Sequence, residues 1–367
     1  MFMSEFPAKV ICFFNSNKAW GGGEKWHFST AREFIRRGFK TFLVTNPGSA
    51  LARKCTEAQL PFLPVRITNL SFLNPYKIYK LYSYFRQQQT DVVIMNLSSD
   101  VKAGSIAAKL AGVKKIMYRR GLPHPLRDTL LNRFIYQRVL THVIVNSEEV
   151  GRSFTTNNET WFPAHKLFLL NNGVDINQHT EASHKLYQKQ GSEIIIGNAG
   201  RLTAQKGQEY LIQMAQVLKA RQVNFKLLIA GEGKLKQPLT ELIRQQNLEN
   251  EITLLGHVED MAGFLNSLDV FVFPSLFEGS ANTLIEVLHQ GIPSVAFNIS
   301  SNPEIIEHGK TGFLATPFSA EEMAAYVMQL TTDAAFRQEI VQNGKQLIRE
   351  KFDIRKNLDR LQALISS

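Results

Sequence analysis

Phe271-Val272-Phe273-Pro274-Ser275-Leu276-Phe277-Glu278-Gly279-Ser280-Ala281-Asn282-Thr283-Leu284-Ile285-Glu286-Val287-Leu288-His289-Gln290-Gly291-Ile292-Pro293 decides the fold class. The apolar opening reads as a buried strand, and Pro274-Ser275 ends it. Gly279 permits a tight turn, and a helix is expected over residues 281–290. Ser280 or Asn282 can cap that helix, Gly291 takes the C′ position, and Pro293 lies just beyond. Strand, loop and helix in this order put the loop at the carboxyl end of a parallel strand, where open α/β sheets bind ligands. The free backbone N–H groups of a helix start, with its positive dipole end, suit a phosphate. Glu278 in the turn can hold sugar hydroxyls, and Glu286 on the helix can accept hydrogen bonds from a ribose diol.

The same pattern recurs on both sides of this stretch. At 367 residues the chain is long enough for two domains. Strands are read at residues 9–15, 40–45, 91–96, 115–118, 142–147 and 166–175 in the first half. In the second half they are read at 193–200, 225–230, 252–255 and 294–297. Helices alternate with them, including residues 24–37, closed by Gly38. This is the βαβ signature of doubly wound sheets. Residues 1–175 form the first domain and 176–192, which break the pattern, the linker. Residues 193–350 form the second domain and 351–367 a closing amphipathic helix.

Two strand-to-helix loops carry chemistry-bearing residues. Gly21-Gly22-Gly23 lets backbone approach a ligand closely, but it is not the G-x-G-x-x-G fingerprint. The second strand ends in Thr45-Asn46-Pro47, with no carboxylate for a ribose diol, so a nicotinamide dehydrogenase is disfavoured. Arg201 and Lys206 follow the strand 193–200 and face the same sheet edge as the Glu278 turn. Two cations beside helix N-termini make a diphosphate cradle that needs no metal, and no Asp-x-Asp pair stands ready to hold one. Arg119 and Arg120 end another strand and would attract anions, while His124 sits on a stiff loop between Pro123 and Pro125.

Composition narrows the setting. Hydrophobic residues make up 44% and charged residues 20%, as in a soluble globular protein. Cys12 and Cys55 are too few for a disulfide framework, and Cys12 reads as core. No signal peptide and no transmembrane run is read, so a cytoplasmic location is expected. The net charge of +10 is uneven, with +13 over residues 1–175 and −3 over the remainder. A basic first half suggests an anionic partner, such as a membrane surface or a phosphorylated acceptor. Residues 70–86 crowd aromatics among lysines, and Phe72, Tyr76, Tyr79 and Tyr82 can share one helix face, as an interfacial membrane helix would present. The basic residues are dispersed and spell no nucleic-acid module, so nucleic acid is not expected.

The ordered set Gly200-Arg201, Lys206-Gly207, Gly231-Glu232-Gly233, Pro274-Ser275, Glu278-Gly279, Glu286, Gly291-Ile292-Pro293 and Pro303-Glu304 resembles the retaining glycosyltransferases of family 4 (glycosyl transferases group 1). The seven-residue gap from Glu278 to Glu286 is that of the family's paired glutamates, and Asn172-Gly173-Val174-Asp175 looks like the end of its first domain. The resemblance implies the GT-B fold, two Rossmann-like doubly wound domains with an interdomain cleft. It implies transfer of a sugar from a nucleotide diphosphate sugar, with no further cofactor, to a saccharide or lipid-linked acceptor of cell-envelope polysaccharide or lipopolysaccharide synthesis. It assigns Arg201 and Lys206 to the donor diphosphate, Glu286 to the ribose and Glu278 to the donor sugar, with Arg201, Lys206 and Glu278 the catalytic set. Further donor contacts are implied for Gly22, Gly23, Gly233, Val258, Gly279, Ser280, Asn282 and Thr283, and acceptor-side roles for Arg119, Arg120 and His124. Where many members carry a His, this chain has Arg119-Arg120. A nucleotide-sugar epimerase of the same fold and a non-catalytic basic peripheral membrane binder remain open readings.

Overall fold

The computed structural model describes residues 9–177 and 184–367. The chain divides into two compact units, Met1–Leu170 with Leu358–Ser367, and Asn171–Asn357. Each contains one parallel sheet. Where residues 176–192 were expected to link two domains, the described part from 184 onward is bonded into the second unit: the Leu186 and Tyr187 amides donate to Gly263 and Ser267.

The first unit holds strands β1 (Val10–Phe14), β2 (Lys40–Thr45), β3 (Phe62–Pro64), β4 (Val92–Met95), β5 (Lys115–Arg120), β6 (His142–Val145) and β7 (Leu167–Leu169). They lie in the order β3-β2-β1-β4-β5-β6-β7, and every pair is parallel. Side chains alternate across the sheet. Cys12 and Phe14 join the core made with Leu81, Phe85, Val101 and Ala107 on one face. Phe13 points to the other face, edge-on to His27 and Phe34 of the helix Gly22–Arg36. Burial on both faces explains the continuous apolar runs. Both cysteines are buried, and burial pushes the Cys12 thiol well up.

The second unit holds β8 (Ile194–Ala199), β9 (Phe225–Ala230), β10 (Ile252–Gly256), β11 (Val270–Phe273), β12 (Ser294–Phe297) and β13 (Phe313–Ala315). Their order is β10-β9-β8-β11-β12-β13, again all parallel. In both sheets the winding reverses direction beside the first strand, between β1 and β4 and between β8 and β11. At such a switch point neighbouring loops diverge and leave a crevice at the carboxyl ends of the strands. The helix Gln208–Ala220 follows β8 and buries Leu211, Ile212, Met214, Ala215 and Leu218, a stripe of helical period.

The expected helix after the opening stretch is Asn282–Gln290, ended by Gly291 in the left-handed conformation. Two local expectations need correction. Neither Ser280 nor Asn282 caps it: Ala281 is the N-cap residue and no side chain bonds to the first turn. The Gly21–Gly23 segment is not a free loop, because Gly22 and Gly23 are already the first helical residues. The helix therefore starts two residues before Glu24, the expected first residue.

The chain closes with the helix Ile354–Ser366, whose residues from Leu358 onward belong to the first unit. Lys9 and Lys115 donate to its last carbonyls, at Ile365 and Leu364. Just before it, the Val174 amide donates to the Phe352 carbonyl at 3.0 Å, and the Ile354 amide to the Val174 carbonyl at 3.0 Å. A Cβ on Gly173 would stand 2.5 Å from the Phe352 oxygen and 2.8 Å from the Ile354 nitrogen, both backbone atoms that cannot swing aside. Gly173→Ala should therefore destabilise the protein by about 2 kcal/mol or more, as overpacked sites do. A denaturation midpoint equal to that of the wild type would show that this crossing yields.

Candidate functional site

The switch point of the second unit gathers most of the expected donor residues. The loop after β8 carries Arg201 and Lys206, and the loop after β11 carries Glu278. These loops are bound to each other. The Leu276 amide donates to the Gln205 carbonyl at 2.8 Å, and Gln205 Nε2 donates to the Phe277 carbonyl at 2.8 Å. Lys206 Nζ pairs with Glu278 Oε1 at 2.6 Å and lies 5.2 Å from the centre of the Phe273 ring. Gly207 has φ 65° and its Cα faces the Pro274 carbonyl, where a Cβ would come within 2.2 Å. Only glycine meets both demands.

A third loop joins them. Ser300, after β12, accepts a hydrogen bond from the Glu278 amide at 3.0 Å and donates one to the Glu278 carbonyl at 2.9 Å. It does so with φ 56°, in the left-handed region that non-glycine residues seldom occupy. Strain of this kind persists where surrounding contacts enforce it. The sequence offered no signal for Ser300, since the bond runs between loops 22 residues apart.

The remaining predicted residues of this unit differ in exposure. Arg201 is exposed, and its guanidinium has no partner among the described residues. Glu278 and Gly279 are buried, Ser280 and Thr283 half-buried, and Asn282 and Glu286 exposed. Glu286 follows Asn282 by one helical turn, so the two share a face of the helix Asn282–Gln290. Asn282 Oδ1 accepts from Asn172 Nδ2 at 2.9 Å. The first-turn amides of that helix have no side-chain cap. Val258 is half-buried and packs on the core. Gly233 is exposed, and a Cβ there would meet the Leu202 carbonyl at 2.3 Å. A free cation, uncapped amides and a carboxylate on one helix face can receive a phosphorylated diol.

The first unit's switch point is furnished differently. Glu24, buried in the first helical turn, accepts from Asn15 Nδ2 at 3.0 Å and Asn96 Nδ2 at 3.4 Å. Gly23 packs against the Asn96 side chain. Asp100 accepts from the Ser16 hydroxyl, from the Ser16 amide at 3.2 Å and from the Leu97 amide at 2.9 Å. Arg119 and Arg120 do not project from the strand end; both are buried. Arg119 lies over the Trp26 ring at 4.3 Å. Arg120 bonds to the Tyr118 hydroxyl at 3.1 Å and to the His124 carbonyl, and lies over Phe154 at 5.2 Å. It is thus the main chain of His124 that is engaged, and the residue is exposed.

Burial shapes the titration of this cluster. Desolvation, with the Arg119 charge beside it, lowers the His27 pKa to about 3. The neutral ring places Nδ1 2.9 Å from the Gly23 carbonyl. Desolvation lowers Arg119 to about 10 against the opposing pull of Glu24. Desolvation also raises Asp100 to about 7, although its hydrogen bonds favour the charged form.

With this geometry in view, two family profiles tile the chain: Glycosyltransferase Family 4 over residues 20–178 and Glycosyl transferases group 1 over residues 179–347. The chain belongs to the glycosyl transferases group 1 of family 4, with the two Rossmann-like domains of the GT-B fold. It is 35% identical to an uncharacterized glycosyltransferase of Methanocaldococcus jannaschii over 42% of this chain and 43% of the relative. It is 25% identical to the UDP-Gal:alpha-D-GlcNAc-diphosphoundecaprenol alpha-1,3-galactosyltransferase of Escherichia coli, over 83% of this chain and 82% of that protein. The chain spans about half the length of most of the curated relatives it matches. The Anabaena protein HepE, solved with UDP, shares the fold with a TM-score of 0.83 at 21% identity, over 98% of this chain and 99% of HepE.

The two titrating groups act on stability with opposite signs. Asp100 binds its proton more tightly in the folded state, so its contribution is full below pH 3.8 and is lost as pH rises towards about 7. His27 binds its proton less tightly, so its contribution is full above pH 6.5 and is lost as pH falls towards about 3. Relative to the wild type, His27→Gln should make denaturation midpoints fall more steeply with rising pH in the range where the two windows overlap. Asp100→Asn should make them rise. Parallel profiles for all three proteins would contradict the assignment.

Proposed function

We propose that the chain transfers a sugar from a nucleotide diphosphate sugar to a saccharide or lipid-linked acceptor of cell-envelope polysaccharide synthesis, with retention at the anomeric carbon and without a metal ion. The observation that carries the reading is the convergence, at one switch point, of exposed Arg201, the Lys206–Glu278 pair and the uncapped start of the helix Asn282–Gln290. The donor class is supported by family membership. The acceptor class is supported by the Escherichia coli relative, whose name specifies a sugar on diphosphoundecaprenol.

In this reading Arg201 and the helix amides bind the diphosphate, and Glu286 accepts hydrogen bonds from the ribose diol. The bond between the anomeric carbon and the diphosphate oxygen breaks, leaving the sugar oxocarbenium-like. The acceptor hydroxyl attacks the same face, and its proton passes to the departing diphosphate. Negative charge grows on the leaving group, and preorganised cations and amides stabilise that growth without rearranging. Glu278 accepts from donor-sugar hydroxyls, and Lys206 turns from Glu278 towards the diphosphate as the charge develops. Ser300 fixes the main chain of Glu278 while its side chain changes partner.

Arg201 is the informative position for mutation, because its side chain is exposed and its removal leaves no buried partner uncompensated. Arg201→Ala should lower turnover by about a hundredfold, as loss of other charge-stabilising donors does, while thermal stability stays that of the wild type. Donor hydrolysis across common nucleotide sugars identifies the substrate, and calorimetry with nucleoside diphosphates gives the affinity. Wild-type turnover in the variant, or no nucleoside diphosphate bound by the unmodified protein, would remove the reading.

A further inference from the structure

We infer that the first unit docks on an anionic lipid surface through the segment between β3 and β4. The segment comprises the turn at residues 70–74 and the helix Pro75–Gln87. The expected face of Phe72, Tyr76, Tyr79 and Tyr82 is not the one presented. Phe72 and Tyr82 pack against the core together with Ile78, and Leu81 and Phe85 are buried within it. The outward side chains are instead Leu70, Leu73, Tyr76 and Tyr79, exposed to 69%, 67%, 73% and 64%. Their spacing of three residues sets them along one side of the turn and the first helical turn. The protein's own core leaves these four side chains to solvent.

Charge identifies the occupant. Residues 58–90 contain no Asp or Glu, and neither do residues 101–127, which include most of the helix Ser98–Leu110 packed beside this segment. Lys77 and Lys80 flank the apolar side chains, and Lys102 reaches the same turn, 5.7 Å from the Phe72 ring centre. Their polar contacts are to neutral groups: Lys77 to the Ser71 hydroxyl at 3.2 Å and Lys80 to the Pro64 carbonyl at 3.3 Å. None of the three is paired with a carboxylate among the described residues. Elsewhere on this unit three exposed arginines are paired with carboxylates, Arg36 with Glu33, Arg133 with Asp128 and Arg152 with Glu149. Leucine and tyrosine side chains framed by unpaired lysines match a bilayer interface, where the rings and aliphatic groups enter the headgroup layer and the ammonium groups meet lipid phosphates. A partner protein of mixed charge has no carboxylate here to recognise. No helix among the described residues is long and apolar enough to cross a membrane, so the contact is peripheral.

The placement has a functional sense within the unit. The turn precedes a helix that runs back along the sheet, so the outward side chains lie at the carboxyl edge of the strands, the edge that also carries the β1/β4 switch point. A docked unit presents that edge to the lipid, where a lipid-linked acceptor is found. The docking does not depend on the transfer reaction, because vesicle binding is measured without donor or acceptor.

The test uses the full chain at low salt with vesicles of phosphatidylcholine alone and of phosphatidylcholine with phosphatidylglycerol. Flotation with the anionic vesicles only, weakened by salt, is expected. Lys77→Glu with Lys80→Glu should lower the partition coefficient by about tenfold or more, since each basic residue near an anionic surface adds several-fold. Leu70→Ser, Leu73→Ser, Tyr76→Ser and Tyr79→Ser together should abolish flotation, while thermal midpoint and nucleoside diphosphate affinity stay unchanged. A wild type that stays off anionic vesicles overturns the inference, as do variants that float like the wild type. Concentration-dependent self-association that the four-serine variant loses, without vesicle binding in the wild type, assigns the surface to a second copy instead.

Discussion

The approach of Gly207 to the Pro274 carbonyl is the contact on which the second unit's site depends. It brings the loop after β8 against the loop after β11, across the one place in the sheet where winding diverges. Any side chain at Gly207 would push these loops apart. With them would go the Gln205 bonds to Leu276 and Phe277 and the pairing of Lys206 with Glu278. The left-handed Gly207 also ends the loop and starts the helix Gln208–Ala220, whose apolar stripe secures it to the sheet. A nearly buried ion pair adds little net stability, because desolvation offsets most of its attraction, but leaving either member alone is costly. The pair therefore serves to hold two loops in register more than to strengthen the fold.

The two units share a winding pattern and differ in what they place at the reversal. The second presents a cationic loop beside uncapped helical amides. The first presents two buried carboxylates, Glu24 and Asp100, among Asn15, Ser16 and Asn96. This inverts what net charge suggested. The first half of the sequence carries +13, yet its switch point is acidic and polar, and its two strand-end arginines are turned inward onto aromatic rings. The excess positive charge is spread over helices instead, and the run free of carboxylates from residue 58 to 90 is one place where it collects.

Much of this was legible in the sequence, and the reasons are specific. Strands buried on both faces read as unbroken apolar runs, and three of them, Lys40–Thr45, Phe225–Ala230 and Ser294–Phe297, have the bounds that the residues suggest. The edge strand β13 and the short β3 were not legible, because three residues do not establish a period. The start of the helix Gly22–Arg36 was misplaced because glycine has poor helix propensity, which packing overrides here. At the second unit's switch point, the meeting of the loops that carry Arg201, Lys206 and Glu278 could be read because those loops follow strands in a recognisable order. Ser300, Asn96 and Asn15 were missed because their roles arise from contacts between loops distant in sequence. Glu286 lies on the helix where the sequence puts it, but its exposure was not foreseen from the apolar residues around it. The buried Leu284, Ile285, Val287 and Leu288 leave position 286 as the one that faces away.

The unequal state of the two cations has a consequence for an arriving anion. Lys206 is already neutralised at 2.6 Å by Glu278, whereas Arg201 is exposed and unpaired among the described residues. An anion therefore meets the guanidinium and the helix amides first, and it gains the ammonium only if Glu278 finds another partner. In the proposed reaction that partner is a sugar hydroxyl. In that proposed reaction a nucleoside diphosphate without its sugar would leave Glu278 bound to Lys206, while the intact donor would supply the hydroxyls that release it. The second cation thus becomes available when the group to be transferred is present. That coupling favours the charge growing on the leaving diphosphate over the charge of the free nucleotide, which is the differential binding that lowers a barrier.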